Sequence, residues 1–266
     1  MVGAVALLVV VVVWFEEAFI YFPSRGDVGT PADRGLDYQE AYLTAEDGVR
    51  LHGWLVPGRG PLTLLWLHGN AGHIGHRLEQ LALIRERLGV GVFLLDYRGY
   101  GRSEGRPSED GTYRDASAAL TYLQAQPGVD AAGIVLYGQS LGGAVAVELA
   151  TRERVRGLIL EAPFASVPAM ARAVYPFLPV GPFLRNRYDS LARIGSVGAP
   201  VLILHSERDE VVPYEQGRAL FAAAAEPKRF HTIVGAGHND AYYRGGSGYW
   251  QALQEFLATL EAPASR

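Results

Sequence analysis

Cysteine is absent from the 266 residues, which excludes disulfides, thiolate metal sites, cysteine nucleophiles and S-acylation. Positive charge is not in excess either. The 24 Lys and Arg stand against 28 Asp and Glu, a net charge of −4 with the signs interspersed, so no basic stripe is available to hold nucleic acid. No segment repeats, and low complexity is confined to the valine-rich N-terminus. The length fits one compact domain near the upper size of a single core.

Long apolar runs are scarce, with one exception. Val2 to Phe15 is fourteen residues without a charge. As a helix it spans about 21 Å, short of the roughly 30 Å hydrocarbon core of a bilayer. Glu16-Glu17 interrupts it before Ala18-Phe19-Ile20-Tyr21-Phe22. Extension to Phe22 suffices if the glutamates lie at the interface, with Trp14, Tyr21 and Phe22 in the aromatic belt. Residues 1–22 are therefore expected to form a single-pass membrane anchor and to place the protein at a membrane. One alternative is a signal peptide followed by secretion. The lack of Lys or Arg ahead of the run and of a small-x-small cleavage site speaks against it. The other is a segment packed on the domain. Residues 23–37 read as a polar linker bearing Gly and Pro, and 38–262 as the folded domain.

Within that domain two periods alternate. Tyr38–Thr44 and Val49–Val56 flank Glu46-Asp47-Gly48 and read as a β-hairpin. Leu62–Leu67, Val90–Leu95, Ile134–Tyr137, Gly157–Leu160, Val201–Leu204 and Phe230–Val234 are short continuous apolar runs, as buried parallel strands require. Helical stretches lie between them, at about 73–88, 112–126, 140–151, 214–225 and 248–260. The expected fold is a doubly wound α/β domain around a mostly parallel eight-stranded sheet.

The chemistry concentrates at Gly138-Gln139-Ser140-Leu141-Gly142. A strand ends at Tyr137, a tight turn carries a serine at its tip, and a small-residue helix follows at once, the setting of a nucleophile elbow. A second match, Gly101-Arg102-Ser103-Glu104-Gly105, leads into the polar loop Arg106-Pro107-Ser108 instead of a helix, so Ser103 reads as a turn residue. A serine nucleophile needs a base and an acid. Of the seven histidines, His238 stands on a glycine-flexible loop just past the last strand-like run, while His205 and His231 read as polar strand residues. Asp209, on the loop after Val201–Leu204, is the candidate acid, and Glu161 at the end of Gly157–Leu160 is the alternative. His68-Gly69-Asn70-Ala71-Gly72 follows a strand and is suited to donate a backbone N–H. His73 and His76 have i, i+3 spacing without an acidic or third histidine ligand, which argues against a metal site. No cofactor is expected.

In order and spacing, His68–Gly72, Asp96–Ser103, Gly138–Gly142, the Arg208-Asp209 loop and Gly237-His238 resemble the α/β-hydrolase superfamily over about residues 38–260. The chain is similar to small-lid abhydrolase-domain proteins with an N-terminal membrane segment, some of which remove acyl chains from proteins or lipids. The resemblance implies Ser140 as nucleophile, His238 as base, Asp209 as acid, and an oxyanion hole from the backbone N–H groups of Asn70 and Leu141. It implies a small-molecule ester, thioester or acyl-lipid substrate. The insertion at about 162–196 carries Phe164, Met170, Val174, Phe177 and Phe183 among five prolines, and reads as a short apolar lid favouring acyl chains. A peptidase with the same triad and an inactive membrane-tethered scaffold are the competing expectations.

Overall fold

A computed structural model describes residues 10–26 and 28–261. The hairpin forms as its Asp-Gly turn predicts. Strands β2 (Gln39–Thr44) and β3 (Arg50–Val56) pair antiparallel with Tyr42 opposite His52, and Gly48 takes the positive φ of +84°. The apolar runs become β4 (Thr63–Leu67), β6 (Gly91–Asp96), β7 (Ile134–Gln139), β8 (Gly157–Glu161), β9 (Val201–Ser206) and β10 (Lys228–Ile233). Together with the hairpin they make one eight-stranded sheet in the order β10-β9-β8-β7-β4-β6-β3-β2. All pairs from β6 through β10 are parallel.

Side-chain alternation divides the core into two layers. Leu65, Leu67, Phe93, Leu95 and Leu136 face helices α3 (Glu109–Gln124) and α4 (Leu141–Arg152). Leu64, Trp66, Val92, Leu94 and Val135 face α2 (Leu78–Leu88) and α9 (Gly246–Glu261). Covering on both faces explains why the central strands are apolar throughout. Helix α2 starts later than the sequence pattern, because His73 accepts a hydrogen bond from the Gly75 N–H at 3.1 Å and starts a 3₁₀ turn over Ile74–Arg77. The lid region holds α5 (Val167–Val174), a 3₁₀ turn at Gly181–Phe183 and α6 (Ser190–Arg193). Helices α7 (Tyr214–Ala223) and α8 (Ala241–Arg244) lie further along the chain.

The N-terminal expectation is corrected. Among the described residues no helix is long and apolar enough to cross a membrane. Residues 10–14 are helical, the helix breaks at Phe15, and α1 (Glu16–Ile20) follows as a separate short piece. Glu16, expected at a bilayer interface, is 1 % exposed. Its carboxylate accepts from the Arg185 N–H at 2.9 Å, Arg185 Nε at 3.1 Å, the Asn186 N–H at 3.2 Å and Asn186 Nδ2 at 2.7 Å. Tyr21, expected in an aromatic belt, is buried, with its hydroxyl 2.8 Å from that of Tyr188 and donating to Asn186 Oδ1 at 3.1 Å. The described part of the segment therefore folds onto the lid, and a single-pass anchor and the membrane localisation drawn from it are withdrawn. The first nine residues of that range lie outside the described residues.

Next along the chain, strand β1 (Phe22–Pro23) pairs parallel with β5 (Ala71–Gly72), forming a second, two-stranded sheet at the end of β4.

Candidate active site

Strand β7 delivers Ser140 at the sheet's carboxyl end, between β4 and β8. Its backbone stands at φ +49°, ψ −112°, a conformation L side chains rarely adopt. Two flanking glycines make the turn possible. A Cβ on Gly138 would lie 2.4 Å from the Gly142 carbonyl, and one on Gly142 would lie 1.9 Å from the carbonyl of Leu67. The turn is tied to its neighbour strand by the Ser140 N–H donating to the Glu161 carbonyl at 2.9 Å. Helix α4 starts at Leu141, so its first N–H groups and the positive end of its dipole lie next to the serine.

Asp209 and His238 are brought together from loops after adjacent strands. His238 Nδ1 lies 2.8 Å from Asp209 Oδ2, so the ring donates through Nδ1 and Nε2 is left as the acceptor nitrogen. The other carboxylate oxygen accepts from the N–H groups of Val211 at 2.9 Å and Val212 at 2.7 Å. Burial alone would raise this acid. Hydrogen bonds from His205 and His238, with the charge of His238, instead hold it well below the usual carboxylate range. Ser140 and His238 line one polar cavity of about 100 Å³, together with Asn70, Arg77, Gln80 and Glu161.

Glu161, the alternative acid, is engaged elsewhere. It accepts from Tyr137 at 2.5 Å, Tyr249 at 2.6 Å and Gln139 Nε2 at 3.0 Å, while Trp66 Nε1 donates to Gln139 Oε1 at 2.8 Å. This buried network anchors the residue immediately before Ser140. Ser103 is 2 % exposed, donates to the Asp96 carbonyl at 2.7 Å and accepts from the His52 N–H at 2.8 Å. The pair His73 and His76 is used in capping the 3₁₀ turn, and no group of three or more metal-ligating side chains occurs among the described residues.

The loop His68–Gly72 packs directly on the elbow. A Cβ on Gly69 would lie 3.7 Å from that of Ser140. The Asn70 carbonyl accepts from the Phe22 N–H at 2.9 Å and the Tyr100 hydroxyl at 2.7 Å, and Asn70 Nδ2 donates to the Ile20 carbonyl at 2.8 Å. His68, fully buried against the rings of Tyr97 and Tyr100, opens the loop. Burial and the charge of Arg77 push its imidazole down to about 4.

Two residues of this region are not apparent from the sequence pattern. His205 reads as a polar strand residue, yet it is wholly buried with Nε2 3.4 Å from Asp209 Oδ2 and 3.1 Å from the Val212 carbonyl. Its i, i+4 relation to Asp209 is the only sequence signal. Glu210 accepts from the His238 N–H at 3.0 Å and so ties the His238 loop to the Asp209 loop. A second, apolar groove of about 470 Å³ also reaches Ser140 and Asn70, running between the N-terminal segment and the lid.

Comparison with known proteins agrees with this architecture. The family model described as Serine aminopeptidase, S33 (Hydrolase_4) matches residues 62–190. The chain is 41% identical over 261 residues to the uncharacterized protein Rv2307c of Mycobacterium tuberculosis, covering 96% of this chain and 92% of that one. It is 36% identical over 291 residues to the alpha/beta hydrolase domain-containing protein WAV2 of Arabidopsis thaliana, covering 99% and 94%. With protein bem46 of Schizosaccharomyces pombe the identity is 37% over 274 residues, covering 94% and 89%. Among solved structures, the Pyrococcus furiosus esterase Pf2001 superposes with a TM-score of 0.75 at 20% identity, over 90% of this chain and 98% of that one, which speaks to the fold. With this identity sustained over nearly its whole length, the chain belongs to the α/β-hydrolase superfamily, in the company of WAV2 and bem46.

Proposed function

We propose that the protein is a serine hydrolase that cleaves carboxylic esters or thioesters of apolar acyl groups through an acyl-enzyme. The observation carrying this reading is the 2.8 Å contact between Asp209 and His238 at the cavity where the strained Ser140 elbow opens. In this reading His238 Nε2 takes the Ser140 proton as the hydroxyl oxygen attacks the acyl carbonyl. Asp209, kept ionised by its donors, fixes the tautomer and stabilises the imidazolium. The backbone N–H groups of Asn70 and Leu141 receive the oxyanion, each worth roughly 2.7–4 kcal/mol. His238 then returns the proton to the leaving group, and water repeats the sequence on the acyl-enzyme. The apolar groove favours an acyl chain and the polar cavity a small leaving group.

The matching family model is described as an aminopeptidase, so the test includes amides. Purified protein is assayed on p-nitrophenyl esters from acetyl to palmitoyl and on amino-acid p-nitroanilides, beside Ser140→Ala. Ester turnover that Ser140→Ala abolishes is the expected result. Turnover of anilides alone favours the peptidase reading, and inertness to every substrate contradicts the proposal.

A further inference from the structure

The N-terminal segment contacts both the Asn70 loop and the lid, along the groove that reaches Ser140. From the serine-hydrolase reading above, we infer that residues 12–24 form a strap that is a working part of the active site, bracing the oxyanion loop and forming one wall of the acyl-binding groove. Three independent features carry this. The strap hydrogen-bonds the oxyanion loop at Asn70 and just beyond it: the Phe22 N–H to the Asn70 carbonyl at 2.9 Å, Asn70 Nδ2 to the Ile20 carbonyl at 2.8 Å, and the Ser24 N–H to the Gly72 carbonyl at 3.1 Å. These bonds hold the Asn70 side chain and the peptides that follow it, so the strap positions the residue that carries the N–H, while the Gly69–Asn70 peptide plane is tied by its carbonyl lying 2.6 Å from His68 Nδ1.

The apolar groove is, moreover, a shared construction. Phe19, Ile20 and Phe22 from the strap face Val167, Met170 and Val174 from the lid, and the groove floor reaches Ser140. Remove the strap and the groove loses one wall. An alkyl chain seated there is desolvated by both sides, and its fit is set jointly by them.

Finally, the strap is latched by a charge. Glu16 is buried on four donors from Arg185 and Asn186, and Tyr21 meets Tyr188 below it. A buried carboxylate with this many donors is a costly device for mere surface packing, because removing it leaves the donors unpaired. It holds strap and lid at one separation, and thereby the groove at one width.

The test separates a brace from packing by splitting kcat from KM. Glu16→Ala, Glu16→Gln and Ile20→Ala are assayed on acetyl, butyryl and dodecanoyl p-nitrophenyl esters, below a melting temperature measured for each variant. Releasing the latch is expected to lower kcat by about 10²-fold on the acetyl ester, the size of loss that misplacing reacting groups by about 1 Å produces. Glu16→Gln, which keeps one acceptor oxygen, falls between wild type and Glu16→Ala. Ile20→Ala lowers the dodecanoyl-to-acetyl ratio of kcat/KM by about tenfold, as loss of apolar contact in a substrate pocket does. Should Glu16→Ala not fold, Asn70→Ala tests the brace from the other side. It deletes the bond to the Ile20 carbonyl, keeps the backbone N–H, and is expected to lower kcat on the acetyl ester with KM unchanged. Folded variants with wild-type kcat and chain-length profile overturn the inference, whereas a wild-type protein inert to all esters overturns the ester-hydrolase reading instead.

Discussion

Two serines of this chain stand between glycines in the same five-residue pattern, and their surroundings place them differently. Gly101–Gly105 and Gly138–Gly142 both follow a strand of the same sheet. After β6 the chain enters a polar loop, and Ser103 turns inward to bond the His52 N–H and the Asp96 carbonyl. After β7 only Ser140 intervenes before a helix begins at Leu141, and that serine is held at positive φ on the rim of two cavities. The pattern itself supplies only room for backbone. The element on its C-terminal side, loop or helix, decides whether the hydroxyl is turned into the fold or held at a cavity rim.

The comparison breaks most readily at Ser140. Ser140→Ala is expected to lower kcat on a p-nitrophenyl ester by about 10⁶-fold, read by steady-state kinetics on a variant with the wild-type circular dichroism spectrum. Asp209→Asn comes next, at about 10⁴-fold, because the amide stabilises the wrong imidazole tautomer. If Glu161→Gln costs more than Asp209→Asn in folded protein, the acid belongs to the other strand.

A smaller effect comes from His68, which lies between the two serine loops with its ring 4.6 Å from Tyr97 and 5.3 Å from Tyr100. Its folded-state value of about 4 lies below the 6.5 of a free imidazole. Between those two values the unfolded chain binds a proton that the folded chain refuses, so stability falls as pH drops through that window. The loss approaches about 3 kcal/mol by pH 4. Urea unfolding at pH 7, 5.5 and 4.5 measures it, and His68→Gln is expected to remove most of the slope. A slope unchanged by that substitution assigns it to other groups.

The smallest effect on turnover is expected at the second serine. Ser103→Ala leaves the His52 N–H and the Asp96 carbonyl without their shared partner, a loss of about 1–3 kcal/mol of stability. Its kcat should remain close to wild type. A Ser103→Ala variant as inactive as Ser140→Ala would erase the distinction between the two loops.

Much of this organisation is legible in the sequence because it is local. Continuous apolar runs mark the strands that helices cover on both faces. Ser140, Asp209 and His238 stand just beyond such runs, where strand ends place side chains at one edge of a parallel sheet. The N-terminal segment is not legible in this way. A fourteen-residue apolar run followed by two glutamates has the hydropathy of an interrupted membrane span, and the partners that bury Glu16, Arg185 and Asn186, lie 169 and 170 residues away. His205 is hidden for a related reason. A histidine ending a strand looks polar and exposed until the Asp209 loop folds back over it.

The most direct measurement is covalent. Full-length protein is treated with a fluorophosphonate probe, digested, and the modified residue mapped by mass spectrometry. A single adduct is expected on Ser140, retained in Ser103→Ala and absent from Ser140→Ala. An adduct on Ser103, or labelling that survives in Ser140→Ala, would contradict the assignment of the reactive serine.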